Sequence, residues 1–345
     1  MGIILANHRV GRKGLKTYTL RLAVQAGFSA LILWIGLEFA RFVRAIESGA
    51  APLPSRPSGV EGFLPISGLM GGLDWFYQGR LNSIHPAATI LFLLFTISAI
   101  LFRKNFCAWI CPVGFFSETL ARLGRRIFGR NFRPWKWMDL GLRSIKYLLL
   151  GFFAVSIFGM SAAALREFIT SGYNRVSDVK MFYFFAELSL TAAIVIALLA
   201  IGSIFINGFW CRYLCPYGAW LGLFSWASPV KVRRNAESCT ACGLCDKVCM
   251  ARLPVSKKDR IISPECTGCL DCVASCPVST ALTAGGRSRR IGVAHFAAGL
   301  LLVFVGGYLF ARAMGWWEGG VSDADYFRLH GVMDTLDHIG QNYRP

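Results

Sequence analysis

Charge is scarce in this chain. Of its 345 residues, 16% are Asp, Glu, Lys or Arg, where a soluble domain carries about 25%. A shortage of that size excludes an ordinary, wholly water-exposed fold. Acidic residues are scarcer still, 19 against 37 Lys and Arg, for a formal charge of +18. No nucleic-acid recognition motif accompanies the basic excess, so a nucleic-acid partner is not expected. Histidine is limited to five residues and no CxxCH occurs, which excludes covalently attached haem c. His295 opens the last apolar run, but no second histidine lies at matching depth, so haem b is not expected either. No small-residue cleavage site clearly follows the first apolar run, and no cleavable signal peptide is read there.

What the chain has instead is apolar length. It is 54% hydrophobic, with 27 Phe and ten Trp and a mean hydropathy of +0.48. Five runs suit a bilayer crossing, which takes about 20 residues: about 22–43, 86–102, 147–165, 184–209 and 291–313. Lys and Arg divide unevenly between the two sides of these runs. Segments 1–21, 103–146 and 211–290 hold five, ten and twelve, which is 27, and segments 41–85, 166–180 and 312–345 hold ten. The richer side is expected to be cytoplasmic, which puts the N-terminus inside and the C-terminus outside. The same bias accounts for most of the basic charge.

The fold class expected is mostly α, a polytopic bundle of about five transmembrane helices with a small α+β two-cluster ferredoxin domain inserted. Residues 1–228 would form a four-helix core, 229–286 the inserted domain, 287–315 the fifth helix and 316–345 an outside tail. Trp75, Phe76 and Tyr77, in the semi-apolar end of loop 45–85, suggest an interfacial or re-entrant segment. Over 113–142, Arg122, Arg125, Arg126 and Arg130 alternate with Phe115, Leu120, Leu123 and Ile127, as in a helix lying on a membrane surface.

Twelve cysteines carry the chemistry. CTACGLCDKVC (239–249) and CTGCLDCVASCP (266–277) both have the spacing C-x2-C-x2-C-x3-C. In this pattern three thiolates wrap one iron–sulfur cube and the fourth serves the other cube. One 4Fe–4S cluster is therefore assigned to Cys239, Cys242, Cys245 and Cys276, and a second to Cys266, Cys269, Cys272 and Cys249. Structural zinc does not call for this twice-repeated pattern. Met250 stands where proline usually follows the fourth cysteine, a change of turn and not of ligand. The other four cysteines form an internal repeat: FCAWICPVG (106–114) and WCRYLCPYG (210–218) each end an apolar run with C-x3-C-P-x-G. If helical, Cys107 and Cys111, and likewise Cys211 and Cys215, share a face, and Pro112 and Pro216 break the helix after the second thiol. These four could ligate a further metal centre, act as redox thiols, or be buried structural thiols.

The combination resembles the membrane polyferredoxins of the NapH, NosR and CcoG type over about residues 60–285, on FCAWICPVG, CRYLCPYG, the FLPIS…IHP stretch and the eight-cysteine module. The resemblance implies an electron-transfer subunit in a bacterial inner membrane that takes electrons from quinol, or passes them across the membrane, to a periplasmic redox partner; the Lys and Arg count is what puts the ferredoxin domain in the cytoplasm and the C-terminus in the periplasm. The resemblance also implies partners: lipid, quinone, and a cytochrome or iron–sulfur protein of a respiratory complex. The fifth helix and the outside tail depart from the NapH pattern, and no flavin-binding domain like that of NosR precedes the core. A CcoG-like alternative, a cupric reductase or metal-handling assembly factor, would use the C-x3-C-P thiols. The quinone-site candidates are His85, Glu38 and Glu187, ionisable groups in or beside apolar runs; an ion pair with Arg41 is the plain alternative for Glu38. His330 and His338 in the tail are read as a solvated face before a metal site.

Overall fold

The computed structural model describes residues 4–5, 8–9, 12–286 and 290–336, with side chains from residue 16 onward except at Asp334. Strands β1 (Ile4–Leu5) and β2 (His8–Arg9) pair ahead of helix α1 (Arg12–Glu47). Helices α2 (Pro65–Gln78) and α3 (Pro86–Phe102) follow. The first C-x3-C-P element joins α4 (Phe106–Trp109) to α5 (Pro112–Phe128). Then come α6 (Lys136–Phe158), α7 (Ala162–Thr170), α8 (Gly172–Arg175), α9 (Ser177–Ala186) and α10 (Leu190–Phe205). The second element joins α11 (Phe209–Tyr213) to α12 (Pro216–Ser225). Strand β3 (Lys231–Arg234), α13 (Leu244–Val248), α14 (Asp271–Ala274) and β4 (Leu282–Gly285) make up the cysteine-rich segment. Helices α15 (Val293–Ala313) and α16 (Asp323–His330) come last.

Helices α1, α6 and α15 are long and apolar enough to cross a membrane, and α9 with α10 would make a fourth crossing, bent by 77°. Helix α3 is apolar but has 17 residues. The outward faces agree: Leu33, Leu37, Leu148, Phe152, Leu198 and Leu302 are each more than half exposed. Water tolerates single apolar side chains on a surface, but not whole helix faces of them.

Two apolar runs and the basic helix differ in outline from the sequence expectation. The third, expected over 147–165, is α6 starting at Lys136 and ending at Phe158. Past Gly159 the chain leaves the helix, and Ser161 Oγ accepts from Ala164 N to start α7 anew. The fourth, expected as one helix over 184–209, breaks at Glu187, the C-cap of α9. Ser189 Oγ accepts from Ala192 N and caps α10. The basic helix expected over 113–142 ends at Phe128, where Gly129 takes the left-handed C-cap conformation at φ 70°. Pro134 then disfavours helix just before α6.

The chain divides into two compact units, one of residues 1–29, 95–151 and 195–303, the other of 30–94, 152–194 and 304–345. Helices α1, α3, α6, α10 and α15 contribute residues to both. The second unit has one core around Phe39, Phe42, Val43, Tyr326 and Leu329 and another around Met70, Leu165 and Ile169. It also buries a polar network: Arg56 donates to Glu61 (2.7 Å) and Asp178 (2.7 Å), and His85 Nδ1 meets Glu61 Oε1 at 3.1 Å. The first unit holds all twelve cysteines. There β3 and β4 pair antiparallel, Lys231 opposite Gly285, and close the cysteine-rich segment at its base.

Candidate metal centres

The two cysteine loops share a backbone device. In each, the residues on either side of the middle cysteine are left-handed: Ala241 (φ 54°) and Gly243 (φ 68°) around Cys242, Gly268 (φ 63°) and Leu270 (φ 63°) around Cys269. Each loop has glycine at one of these positions and an L side chain at the other, at a cost of about 1–2 kcal/mol per non-glycine residue. Such alternation turns successive N–H groups toward one concavity, the arrangement that holds phosphates and iron–sulfur clusters. Ala241 N–H and the Arg234 guanidinium hold the Cys239 thiol below its ordinary pKa. Leu253 N donates to Cys249 Sγ at 3.3 Å.

Cys239, Cys242, Cys245 and Cys276 line one small cavity. Cys249 is found with the other loop: burial pushes the Cys272 thiol up, and Cys269, Cys249 and Cys266 add to it. Among the described residues, no three His, Cys, Asp or Glu side chains converge as they would on a single ion. A cube asks for something different, four thiolates spread around a multi-atom cluster. Two sulfur-only sets, N–H groups directed at sulfur and paired left-handed turns fit that group.

The remaining four thiols also come together. Cys211 lies within electrostatic reach of Cys215, Cys111 and Cys107. They do not reach this place as i, i+4 partners on one helix. Cys107 and Cys211 sit in the short helices α4 and α11, while Cys111 and Cys215 are the extended N-cap residues of α5 and α12. Pro112 and Pro216 begin the next helix instead of ending the last one, because proline at the first helical position loses no hydrogen bond. Cys215 Sγ accepts from Gly218 N at 3.2 Å. That N–H group favours the thiolate, but burial outweighs it and pushes the Cys215 thiol up.

Sequence reasoning missed the charges around these sulfurs. Lys146 Nζ donates to Glu265 Oε2 at 2.6 Å, Lys104 Nζ lies 3.6 Å from the same oxygen, and Tyr147 donates to Glu265 Oε1 at 2.8 Å. Both lysines are buried, and Lys104 is within reach of Cys107, Cys211 and Cys215. Burial pushes the Glu265 carboxyl up, but Lys104 and Lys146 outweigh it and hold it at about 2. Two ammonium groups against one carboxylate leave positive charge beside three of these sulfurs, which favours a thiolate-bound centre. Fully buried Trp109 adds a physical link, its Nε1 donating to Gly268 O at 3.1 Å. Gly268 itself packs tightly on the end of α3, where a Cβ would lie 3.0 Å from Phe102 O. In sequence Lys104 reads as an ordinary basic flank, and nothing local announces a partner more than 100 residues away.

Two of the three quinone-site candidates are engaged by other groups. His85 is buried, with Nε2 2.6 Å from Asn174 O and Nδ1 engaged by Glu61, so neither ring nitrogen is free for a quinol. Glu38 accepts from Arg41 at 2.6 Å. Glu187 is exposed at the break between α9 and α10. His330 Nε2 meets Tyr183 Oη at 3.0 Å, and His338 lies outside the described residues.

Comparison with known proteins gives these sites a context. A family model described as a 4Fe-4S binding domain matches twice, at residues 84–131 and 188–235, once over each C-x3-C-P element. A second, described as a 4Fe-4S dicluster domain, matches residues 231–277. The chain is 42% identical over 328 residues to a putative electron transport protein, YccM, of Escherichia coli K12, covering 93% of this chain and 92% of that one. It is 32% identical over 233 residues to the regulatory protein NosR of Pseudomonas aeruginosa, 61% of this chain and 29% of NosR. It is 24% identical over 187 residues to the ferredoxin-type protein NapH of Haemophilus influenzae, 52% of this chain and 61% of NapH. No solved structure matches.

Proposed function

We propose, from the premise that this chain belongs to the membrane polyferredoxin family of its YccM, NosR and NapH relatives, that it carries electrons between a membrane quinol or a cytoplasmic donor and a further redox protein. The carriers proposed are one cluster on Cys239, Cys242, Cys245 and Cys276, one on Cys266, Cys269, Cys272 and Cys249, and a third centre on Cys107, Cys111, Cys211 and Cys215. Iron–sulfur clusters supply one-electron chemistry at potentials set by charge, hydrogen bonds to sulfur and burial. The chain supplies those three levers: N–H donors to sulfur, buried lysines, and burial of Cys245, Cys269 and Cys272. The single observation that supports the reading is that Cys276 lines one cavity with Cys239, Cys242 and Cys245, while Cys249 lies within electrostatic reach of Cys266, Cys269 and Cys272. Residues before α1 and the cysteine-rich segment would face the cytoplasm of a bacterial inner membrane, in line with the Lys and Arg bias.

Iron and sulfide counts on anaerobically purified protein test this. About twelve iron atoms per chain are expected if the third set holds a cube, and about eight if it does not. Iron near zero in a folded preparation overturns the reading. The same four inner thiols support a second reading, metal handling: stoichiometric Cu(I) binding lost in C107S/C211S, with eight irons retained, would favour it.

A further inference from the structure

Part of the first unit is more basic than electron transfer requires. A cavity of about 610 Å³ opens there, between α5, the turn that follows it, and the end of α13. Six arginines line it, Arg21, Arg122, Arg125, Arg130, Arg133 and Arg252, with Lys247; its carboxylates are Glu118 and Asp271. Both carboxylates are already committed. Glu118 holds Arg21 (2.7 Å) and Arg122 (2.5 Å), and Asp271 holds Arg21 (3.1 Å). Half-buried Arg125 donates to Asn131 Oδ1 at 2.7 Å and half-buried Arg252 to Phe132 O at 2.6 Å, both neutral acceptors. Burial accordingly pushes both guanidiniums below their ordinary pKa. The Nε atoms of Arg21 and Arg122 are buried donors with no hydrogen-bond partner. Leaving a buried donor unmet costs about 1–3 kcal/mol, and the carboxylates within reach of Arg125 and Arg252 are already bonded to other arginines.

We propose that this cavity binds a phosphate-bearing ligand against Arg125 and Arg252. Guanidinium pairs bind phosphate through two parallel charge-assisted hydrogen bonds, and the volume falls within the range of small-ligand sites, about 300–1,000 Å³. The phosphate has two chemical sources. One is a soluble phosphate ester of nucleotide size. The other is an anionic lipid headgroup, because α5 also carries exposed Phe116, Ile127 and Phe128, a face suited to a lipid surface. Cys249 is part of the cavity wall. A bound anion would therefore sit beside the second proposed cluster; that proximity rests on the function proposed above, and the binding itself does not.

The full chain, purified anaerobically with its iron, is placed in phosphatidylcholine nanodiscs and titrated calorimetrically with inorganic pyrophosphate. One saturable site is expected, weakened about tenfold or more in R125Q/R252Q at unchanged iron content. Discs containing phosphatidylglycerol separate the sources: competition with pyrophosphate assigns the site to a lipid headgroup, and lack of competition assigns it to a soluble ester. No saturable pyrophosphate binding in neutral discs overturns the proposal, as does binding that R125Q/R252Q leaves intact. If that variant does not fold, R130Q/R133Q, which changes two exposed side chains, takes its place: severalfold weaker binding supports the site and unchanged binding overturns it. Iron-free protein that still binds pyrophosphate would keep this site while sinking the cluster assignment.

Discussion

Substituting the glycine of each C-x3-C-P-x-G element with alanine should have opposite effects in the two halves of the repeat. Both glycines lie in the first turn of a helix, where alanine is favoured over glycine by up to about 1 kcal/mol. At Gly218 the new Cβ would lie 3.6 Å from Cys211 O and 3.6 Å from Cys215 Sγ, ordinary contact. Gly218→Ala is therefore expected to be neutral or to stabilise by about 1 kcal/mol. At Gly114 the Cβ would fall on the backbone carbonyl of Cys107 well inside 3.0 Å, and a carbonyl inside an elbow between two helices cannot yield as a side-chain tip can. Overpacking of that kind costs about 1–3 kcal/mol, and backbone contact belongs at the upper end. Net destabilisation of about 2 kcal/mol follows for Gly114→Ala, a gap of about 3 kcal/mol between the variants. Thermal midpoints of both variants in one detergent measure this, with iron per chain as a second readout. Iron should fall in Gly114→Ala, whose Cys107 must move, and hold in Gly218→Ala. Equal midpoints, or the reverse order, would refute the packing argument.

Three further outcomes follow from the buried charges. Glu118→Gln should destabilise by about 3 kcal/mol at pH 7, the amount implied by a carboxyl that burial raises but Arg21 and Arg122 hold at about 2 against an ordinary 4.5. That contribution is complete above pH 4.5 and fades as pH falls toward 2, so wild type and variant midpoints should converge in acid; a constant gap contradicts it. Lys146→Met should lower the reduction potential of a centre on the four inner thiols, on the order of 60 mV or one tenfold step in a one-electron equilibrium, and Glu265→Gln should raise it; an EPR-monitored redox titration reads both signs. His85→Ala strips partners from the buried Glu61 carboxylate and Asn174 carbonyl, with an expected loss of about 1–3 kcal/mol. An unchanged midpoint with slower quinol-driven reduction would instead return His85 to the quinone site.

The legible part of this protein is what its chain encodes locally. Cysteines with two and three residues between them announce their ligand, because a cube is wrapped by one short loop. The long apolar runs announce the membrane for a similar reason. The helix breaks were written less plainly. Glu187 and Ser189 interrupt an apolar run by composition that looks minor, yet one helix ends at Glu187 and the Ser189 hydroxyl caps the next, with a 77° bend. Pro112 and Pro216 read as helix breakers and act as helix starters, and only the placement of Cys111 and Cys215 as N-caps distinguishes the two. Least legible were the charge clusters. Arg21 meets Glu118 across 97 residues and Asp271 across 250, and Lys146 meets Glu265 across 119. Such pairings are made by tertiary packing, and no spacing rule in the sequence carries them.

The central claim is the crossing of ligands between the two loops, and low-temperature EPR of reduced cysteine variants tests it most directly. Cys276→Ser and Cys242→Ser should perturb the same cluster signal and leave the other intact, while Cys249→Ser and Cys269→Ser should perturb the other. If Cys276→Ser instead altered the signal lost in Cys269→Ser, each loop would hold its own cluster and the crossed assignment would be wrong.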